Sequence, residues 1–411
     1  MRRALAGLPK TVWLLGAISL LNDAASDMIY PLVPLYVASV LMAGPKALGW
    51  IEGVAEAAGS LLKLGAGVLA DRIRRIKPFV VLGYGLAGIA RPLIGIATSW
   101  MGVLVFRFVD RVGKGLRSAP RDAMLAASVS PAQRGLAYGL HRGMDNAGAV
   151  VGPLIAAALL AAGLSLRQVF LLAIVPAVFV LIMALRLKEP ERAEVRADVA
   201  VDWRVSALPP AYRRYLVALG LFTLGNASNM FLLLRANELG LGASRITLLW
   251  AAFSAVAAFA STPLSAWSDR IGRKRLILAG WGGYALLYVL LGVVPIAAGW
   301  LWVLFPAYGF VTAMIEGSER ALVADLVPAE RAGTAFGWYY LVTGLLLLPA
   351  SAIFGTLWEH GSPTVAFGAS AVCAVLAGIV LSTGKTPAAG CPGPEAGASS
   401  ARGDRRDTRG G

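Results

Sequence analysis

Long apolar stretches alternate with short polar loops along the whole chain. The apolar stretches are long and continuous, and they do not alternate between apolar and polar residues with a period of two. They therefore predict helices and argue against a β-barrel. A helix satisfies its backbone polar groups internally, which lipid requires. The pattern therefore predicts an all-α polytopic membrane protein of about twelve helices. These stretches cover residues 11–40, 47–70, 78–98, 101–127, 133–163, 165–187, 213–236, 246–267, 276–297, 299–323, 332–357 and 363–383.

Composition agrees with a lipid environment. Apolar residues make up 57% and charged residues 15% of the 411 residues, and mean hydropathy is +0.69. A soluble domain averages about 25% charged residues. The first stretch is longer than the apolar part of a signal peptide and contains Asp23 and Asp27, so we interpret it as a retained first helix.

The net charge of +15 first suggests nucleic acid, but the basic residues form short clusters between apolar stretches, as in cytoplasmic loops. We therefore expect membrane lipid and no nucleic acid as a partner. Loops on one side carry the clusters Arg72–Lys77 and Arg270–Arg275. The other side has only Lys46, Arg167, Arg235 and Arg245. This asymmetry predicts cytoplasmic termini, and the compact loops suggest a bacterial cytoplasmic (inner) membrane.

A charged, proline-containing segment divides the apolar stretches into six and six. We predict an N-terminal six-helix bundle at 1–185, a cytoplasmic linker at 186–214 and a C-terminal six-helix bundle at 215–384. Residues 385–411 are rich in Gly, Ala, Ser, Pro and Arg, which predicts a disordered cytoplasmic tail.

The two halves repeat each other in sequence. ASDM at 25–28 recurs as ASNM at 227–230, and PAQRGLAYG at 131–139 recurs as PAERAGTAFG at 328–337. The repeat also matches Asp71 with Asp269. Two parallel halves predict a substrate site between them, near the membrane midplane.

The matched loops carry a recognisable signature, G-x-L-x-D-R-x-G-R-K. The first copy has Gly67, Leu69, Asp71, Arg72 and Arg75, with Arg74 at the glycine position. The second copy has Asp269, Arg270, Gly272, Arg273 and Lys274, with Ser265 in place of the first glycine. With these motifs the chain resembles the major facilitator superfamily over residues 10–384. The resemblance implies two pseudo-symmetric six-helix bundles and transport by alternating access.

In that family these loops lock the outward-facing state. By resemblance, Asp71, Arg75 and Asp122 would form one charge cluster of a gate. Asp269 and Arg273, together with Glu319, would form the other. A carboxylate at a helix end can interact with a facing helix N-terminus and with nearby arginines. The alternative is that these are solvated loop charges that only fix topology.

The fifth stretch contains Gly148, Gly152 and Pro153 with the spacing G-x-x-x-G-P. It resembles the glycine–proline signature of antiporters that export their substrates, and so suggests the drug/proton antiporter-type branch. The second half lacks this motif. The alternative is plain helix packing, which small residues favour in membranes.

Charged residues inside the apolar stretches are functional candidates by default. Most lie in the first half, where we expect coupling, whereas the second half offers mainly Asn226, Asn229, Glu316 and Glu319. The fourth stretch resembles the family's R-x-x-x-G pattern at Arg111 and Gly115, although internal salt bridges would explain its charges equally well. The first-half set is Asp23, Asp27, Glu56, Lys63, Arg91, Arg111, Lys114, His141, Arg142 and Asp145.

We assign proton coupling to carboxylates and a neighbouring arginine, because a carboxylate kept from water can bind a proton and an adjacent arginine opposes this. Asp23 and Asp27 are four apart and share a helix face, although Asp23 could instead pair structurally with Lys114 or Arg142. The coupling candidates are Asp23, Asp27, Glu56, Arg111 and Asp145. The substrate-binding candidates are Lys114, His141, Arg142, Asn226 and Asn229.

Two further side chains have an expected depth or direction. We expect Glu52 near the outer water and Glu56 deeper in the membrane. We expect Arg91 to reach inward to Glu56.

The leading hypothesis is a monomeric transporter that exports a small organic solute or drug in exchange for protons and needs no cofactor. Alternatives are uptake of an organic anion at Arg111, Lys114 and Arg142, or export of a metal chelate such as a siderophore. A membrane enzyme or a sensor is less favoured. The sequence has no G-x-x-x-x-G-K-[ST] for ATP, no H-E-x-x-H, and only two distant histidines, His141 and His360. Two cysteines in different environments predict neither a disulfide framework nor a metal site.

Overall fold

A computed structural model describes residues 7–72, 75–130, 133–189, 204–292, 296–328 and 331–383. Within these ranges the regular structure is entirely helical. Its long helices, numbered in chain order, are α1 Lys10–Val40, α2 Pro45–Arg72, α3 Lys77–Ile96, α4 Trp100–Ala127, α5 Arg134–Ala161, α6 Leu166–Leu185, α7 Pro210–Glu238, α8 Ala243–Ile271, α9 Arg273–Gly292, α10 Ala298–Leu326, α11 Ala332–His360 and α12 Pro363–Ser382.

Ten of these described helices are long and apolar enough to cross a membrane. The other two, α2 and α4, carry more charged residues than such a helix usually does. They pack against each other, and much of their charge is turned inward. The structure thus confirms an all-α polytopic membrane protein of about twelve helices. The middle of the predicted linker, 190–203, and the predicted tail lie outside the described residues.

The helix contacts follow the internal repeat. In the first half α1 packs on α5, α2 on α4, and α3 on α6. In the second half the equivalent pairs are α7 with α11, α8 with α10, and α9 with α12. The halves meet along two related seams, α2 with α11 and α5 with α8. Two pseudo-symmetric six-helix bundles therefore enclose a space between them.

Two helices at the centre are irregular. In α1 the helix tightens to a 3-10 turn at Tyr30–Leu32 and widens to a π turn at Tyr36–Val40, around prolines that remove backbone donors. In α7 the helix stops at Gly225 and resumes at Met230. Irregular backbone at membrane depth is tolerated where it is buried in protein or lines a cavity. The matched ASDM and ASNM segments thus lie at or near the irregular parts of both helices.

The two halves differ in what fills their cores. The second half is packed with aromatic rings: Phe222 stacks on Trp281 with ring centres 4.7 Å apart, and Tyr284 stacks on Tyr288 at 4.0 Å. The first half instead buries charged side chains. Those that are buried there include Glu52, Arg91, Arg107, Asp110, Arg111, Arg117, His141 and Asp145.

Candidate functional site

A cavity of about 240 Å³ lies between the two halves. It is walled by α1 and α5 on one side and by α7, α8 and α10 on the other. Asp27 and Asn229, which the sequence repeat matches with each other, both line it. Its other lining residues include Arg142, Asn146, Trp250, Phe253, Thr312 and Glu316. One predicted coupling residue and two predicted substrate-binding residues are thus brought together.

Asp27 lies among aromatic rings. The indole Nε1 of Trp250 donates to its carboxylate at 3.3 Å, and the same indole packs against the tilted ring of Tyr30 and stacks on Phe253, with ring centres 5.0 and 4.5 Å apart. Among the described residues no Lys, Arg or His forms a salt bridge with Asp27. The cavity therefore presents an acidic group beside aromatic faces.

The cavity's other two charges face each other across the halves. Arg142 on α5 lies 4.0 Å from the carboxylate of Glu316 on α10, and their side chains are 60% and 53% exposed. Arg320 also approaches Glu316, at 3.8 Å. Exposed pairs of this kind contribute at most about 1 kcal/mol. Arg142 and Glu316 largely offset each other's charge and leave Asp27 as the lining carboxylate without a salt bridge in the described structure.

A buried polar network in the first half lies beside this cavity. Arg107 on α4 donates to Glu52 on α2 at 2.6 and 2.8 Å, and it approaches Asp110 at 3.4 Å. Arg91 on α3 donates to Asp110 at 2.9 Å and to Asn22 on α1 at 3.0 Å. The network therefore joins four helices of the first half around alternating charges.

The network also reaches the second half. Ser228, in the non-helical segment of α7, donates its hydroxyl to Glu52 at 3.3 Å. The guanidinium of Arg107 lies 5.8 Å from the ring centre of Tyr30, and the Tyr30 ring packs against Trp250 of α8. The buried charges of one half are thus connected to the helix break of the other.

Two sequence-based expectations were wrong here. Glu52, expected near outer water, is only 1% exposed, and Arg91 reaches Asp110 and not Glu56. Glu56 has a side chain 29% exposed and pairs with Arg111 at 2.9 Å, and its depth in the membrane stays a prediction. Spacing along a helix determines which face a residue occupies, but it does not determine how enclosed that residue is or where a long side chain reaches.

A second polar cluster lies between α1, α4 and α5. Ser19 donates to Asp145, and His141 Nδ1 lies 3.6 Å from the same carboxylate. Arg121 donates to Ser19 at 3.4 Å and to Asp122 at 2.9 Å. Asp145 and His141 are therefore placed together within the first half, and neither is among the residues that line the cavity.

The remaining candidates also lie outside the cavity lining. Asp23 accepts a hydrogen bond from Asn22 at 2.9 Å, and Lys114 is exposed on α4. Asn226 ends the first part of α7. The structure supports no direct contact of these three with the cavity described here, and their predicted roles stay predictions.

The structure describes the side chains of the second copy of the loop signature but only part of the first copy. Gly67 and Asp71 belong to α2, but their side chains lie outside the described residues, and so the first charge cluster stays a prediction. Arg75 is exposed. Asp122 pairs with Arg121 at 2.9 Å.

In the second copy Arg273 pairs with Asp269 at 3.2 Å and with Asp325 at 2.8 Å. Glu319, expected in this cluster, lies elsewhere, and Asp325 takes its place. Glu319 is two turns earlier on α10, and its hydrogen bonds go to α9 and α11.

The glycine–proline motif holds α5 against α1. A Cβ on Gly152 would lie 2.8 Å from the backbone nitrogen of Met28, and one on Gly148 would lie 3.0 Å from that of Ala24. Both distances are shorter than a Cβ normally tolerates, so only glycine fits. The close approach fixes the segment of α1 that carries Asp23 and Asp27.

The two ends of the central space differ. At the end that carries the loop 41–44, Lys46 N donates to Glu359 at 3.0 Å, and Ser244 donates to the carbonyl of Ala157 at 3.1 Å. At the end with the basic loops, Cβ atoms built on Gly135, Gly139 and Gly143 of α5 would meet nothing within 4 Å. In the described residues, hydrogen bonds therefore join the halves at the first end, and these three glycines of α5 are exposed at the basic end.

Comparison with known proteins agrees with the fold. The chain matches the Major Facilitator Superfamily family description over residues 15–225 and 215–406. It is 34% identical over 388 residues to the MFS-type transporter MJ1317 of Methanocaldococcus jannaschii, covering 91% of this chain and 94% of that protein. It is 25% identical over 339 residues to the multidrug resistance protein MdtH of Salmonella arizonae, covering 80% and 81%.

Among solved structures, the nucleoside transporter NupG superposes with a TM-score of 0.78 over 90% of this chain and 99% of that one, at 11% identity. A peptide transporter of the POT family in complex with sulfate superposes with a TM-score of 0.75, at 13% identity. Likeness at this level of identity shows the fold alone. With the family match across both halves and the relative at 34% identity, the chain belongs to the Major Facilitator Superfamily of membrane transporters.

Proposed function

We propose that this transporter exports a small organic cation in exchange for protons, with Asp27 at the centre of the substrate site. The observation that carries the proposal is the carboxylate of Asp27, which lines the cavity between the halves beside Trp250 and Phe253. An ammonium group is attracted by a carboxylate and by the faces of aromatic rings. Asn229 and Thr312 add hydrogen-bonding groups on the opposite wall.

Asp27 also explains why a cation would be exchanged for a proton. A bare carboxylate in a membrane cavity is costly, and either a proton or an organic cation removes that cost by occupying it. If the halves rearrange readily only when Asp27 is occupied, an inward proton must replace an outward cation. A ligand drives such a change only through its different affinity for the two states.

The direction of transport is inferred from several features. The basic loops favour a cytoplasmic location for the end opposite to the Lys46–Glu359 hydrogen bond, so the described conformation would take substrate from the cytoplasm. The glycine–proline motif resembles that of exporters. The relative MdtH is named for multidrug resistance. These features support export, with both termini in the cytoplasm.

The test is substrate-driven proton movement in proteoliposomes, followed with a pH-sensitive dye. A panel of organic cations should drive proton flux through the wild type. Asp27→Asn should reduce apparent affinity and flux by roughly tenfold or more, because a charge-assisted contact contributes about 1.5–3 kcal/mol. Asp23→Asn is the comparison one turn earlier, outside the cavity lining, and should keep cation affinity; its effect on proton flux tests the separate prediction that Asp23 takes part in coupling.

Two outcomes would contradict the proposal. Cation flux without proton movement would rule out antiport. An equal loss of cation affinity in Asp27→Asn and Asp23→Asn would show that the overall charge of α1, and not the cavity carboxylate, determines cation binding.

Substitution of Arg142 tests the competing hypothesis of organic-anion uptake, because its exposed guanidinium also lines the cavity. We expect Arg142→Gln to change the free energy of unfolding by less than about 1 kcal/mol and to leave organic-cation affinity within about threefold. Binding of cation and anion panels to the purified variant measures this. Tight anion binding by the wild type that Arg142→Gln abolishes would favour the uptake hypothesis.

A further inference from the structure

We infer that Glu319, in the second half, is a protonated carboxyl in this conformation and a second proton-carrying site of the transport cycle. This inference rests on the proton coupling proposed above and extends it to a residue that does not line the substrate cavity. Sequence reasoning had placed coupling in the first half and Glu319 in a gate.

The surroundings of Glu319 are polar but neutral. Its side chain is 5% exposed. The indole Nε1 of Trp281 on α9 donates to Oε1 at 3.2 Å, and the hydroxyl of Tyr339 on α11 donates to Oε2 at 3.0 Å. Within the described part of the chain, no Lys, Arg or His forms a salt bridge with it.

The charged and titratable groups around it do not supply a counter-ion. On α10 itself, Arg320 points to Glu316, at 3.8 Å, and Asp325 is paired with Arg273. On α7, the hydroxyl of Tyr215 lies nearby, buried and without a hydrogen-bond partner among the described residues.

The other neighbouring helices add little more. Helix α8 brings Ser265 against Gly317, and α11 adds Tyr340 beside Tyr339. None of the groups facing the Glu319 carboxyl is a positively charged side chain directed at it.

Three carboxylates between α2, α3 and α4 of the first half provide the contrast. Glu52 has Arg107 within 2.6 Å, and Asp110 has Arg91 within 2.9 Å. Glu56, which is partly exposed, has Arg111 within 2.9 Å. These pairs stabilise the charged carboxylate. Glu319 is equally enclosed but lacks such a partner.

An unpaired charge is strongly disfavoured in the membrane interior. Two hydrogen bonds to a charged carboxylate contribute about 1.5–3 kcal/mol each, whereas the idealised cost of moving such an ion from water into a low-dielectric interior is on the order of 20 kcal/mol. The carboxyl is therefore neutral here and holds a proton on one of its oxygens. The step requires no other reactant: an O–H bond forms with a proton taken from water, and the same bond breaks when the proton returns to water.

The position of Glu319 connects it to movement between the halves. Tyr339 lies on α11, the helix that packs along α2 of the other half. A shift of α11 relative to α10 would remove the tyrosine donor and admit water. Proton binding at Glu319 would then alternate with the conformation, while Asp27 exchanges proton and cation in the cavity.

The experiment compares Glu319→Gln with Glu238→Gln in proteoliposomes and in detergent. Glu238 is a matched control because it also accepts from a tryptophan, Trp358, at 3.2 Å, but has Arg235 as an ion partner at 3.2 Å. Glu319→Gln should lose roughly tenfold or more of cation-driven proton flux and keep cation binding and cation exchange within about twofold. Glu238→Gln should keep all three.

Infrared difference spectra give a readout that does not depend on transport. The carbonyl stretch of a protonated carboxyl should disappear in Glu319→Gln and persist in Glu238→Gln. If Glu319→Gln does not fold, Tyr339→Phe takes its place: it should shift the pH profile of proton flux while leaving cation binding unchanged.

The outcomes separate this inference from the proposed function. Wild-type proton flux in Glu319→Gln, or an unshifted profile in Tyr339→Phe, overturns the inference and leaves the role of Asp27 standing. Loss of cation binding in Glu319→Gln would overturn it too, because the residue would then support the site structurally. Cation transport by the wild type without proton movement would overturn both.

Discussion

Arg107→Met should leave little folded protein in the membrane. The substitution removes the guanidinium that bonds Glu52 at 2.6 Å and leaves a buried carboxylate without a counter-ion. Breaking a buried pair in this way costs about 3–5 kcal/mol, which is a large part of a typical stability of about 5–15 kcal/mol. Yield of monodisperse protein and thermal unfolding in detergent measure the effect.

Two variants test that explanation. Arg235→Met breaks the more exposed pair with Glu238 and should cost much less, about 1 kcal/mol. The double variant Glu52→Leu/Arg107→Met removes both buried charges and should recover part of the stability, since apolar replacements of buried pairs are often neutral. If Arg107→Met is as stable as Arg235→Met, the buried network does not hold the first half together.

Gly152→Ala should destabilise the first half and impair transport from a single added methyl group. That methyl would lie 2.8 Å from the backbone nitrogen of Met28, and a backbone atom cannot move aside without displacing α1. Overpacking of this kind typically costs about 1–3 kcal/mol. Displacement of α1 would also move Asp27 relative to Trp250, so cation flux should fall with the melting temperature.

Gly139→Ala is the matched control on the same helix. A Cβ there meets nothing within 4 Å, and alanine is about 1 kcal/mol more favourable than glycine in a helix interior. This variant should be as stable as the wild type or more so. Equal stability of the two alanine variants would mean that α1 and α5 approach less closely than the structure shows.

The helices and their division into two bundles were largely predictable, because lipid imposes one solution on a long apolar stretch. The repeat added more. It matched Asp27 with Asn229, and the two residues line the same cavity from opposite halves. In a parallel duplication, a two-fold axis between the halves relates equivalent positions, so matched residues of the central helices face each other across it. The repeat in the sequence is enough to predict this arrangement.

The partners of the buried charges were not predictable in the same way. Arg91 has a flexible side chain that can reach in several directions, and the choice of Asp110 depends on how α3 crosses α4. Glu52 and Glu56 share a helix face, yet one is enclosed by α4 and the other is partly open. Such differences arise from packing between helices that are distant in sequence.

Glu319 was assigned to the wrong neighbours for a related reason. It follows a charged, helix-end pattern in sequence, but α10 extends far enough that Asp325, not Glu319, reaches Arg273. One signal was available: Trp281 replaces the tyrosine of the first copy in the matched segments GYG at 83–85 and GWG at 280–282. An indole offers a donor that a carboxylate can use.

The high charge of α2 and α4 also bears on how the chain is made. Helix α4 carries seven charged residues, and charged residues at a helix centre are penalised during insertion by about 2.5–3.5 kcal/mol each. Two of them, Arg107 and Arg111, pair with Glu52 and Glu56 of α2, and α3 lies between the two helices in the chain. We therefore expect α4 to enter the bilayer together with α2 and α3, as a group of helices, and not alone.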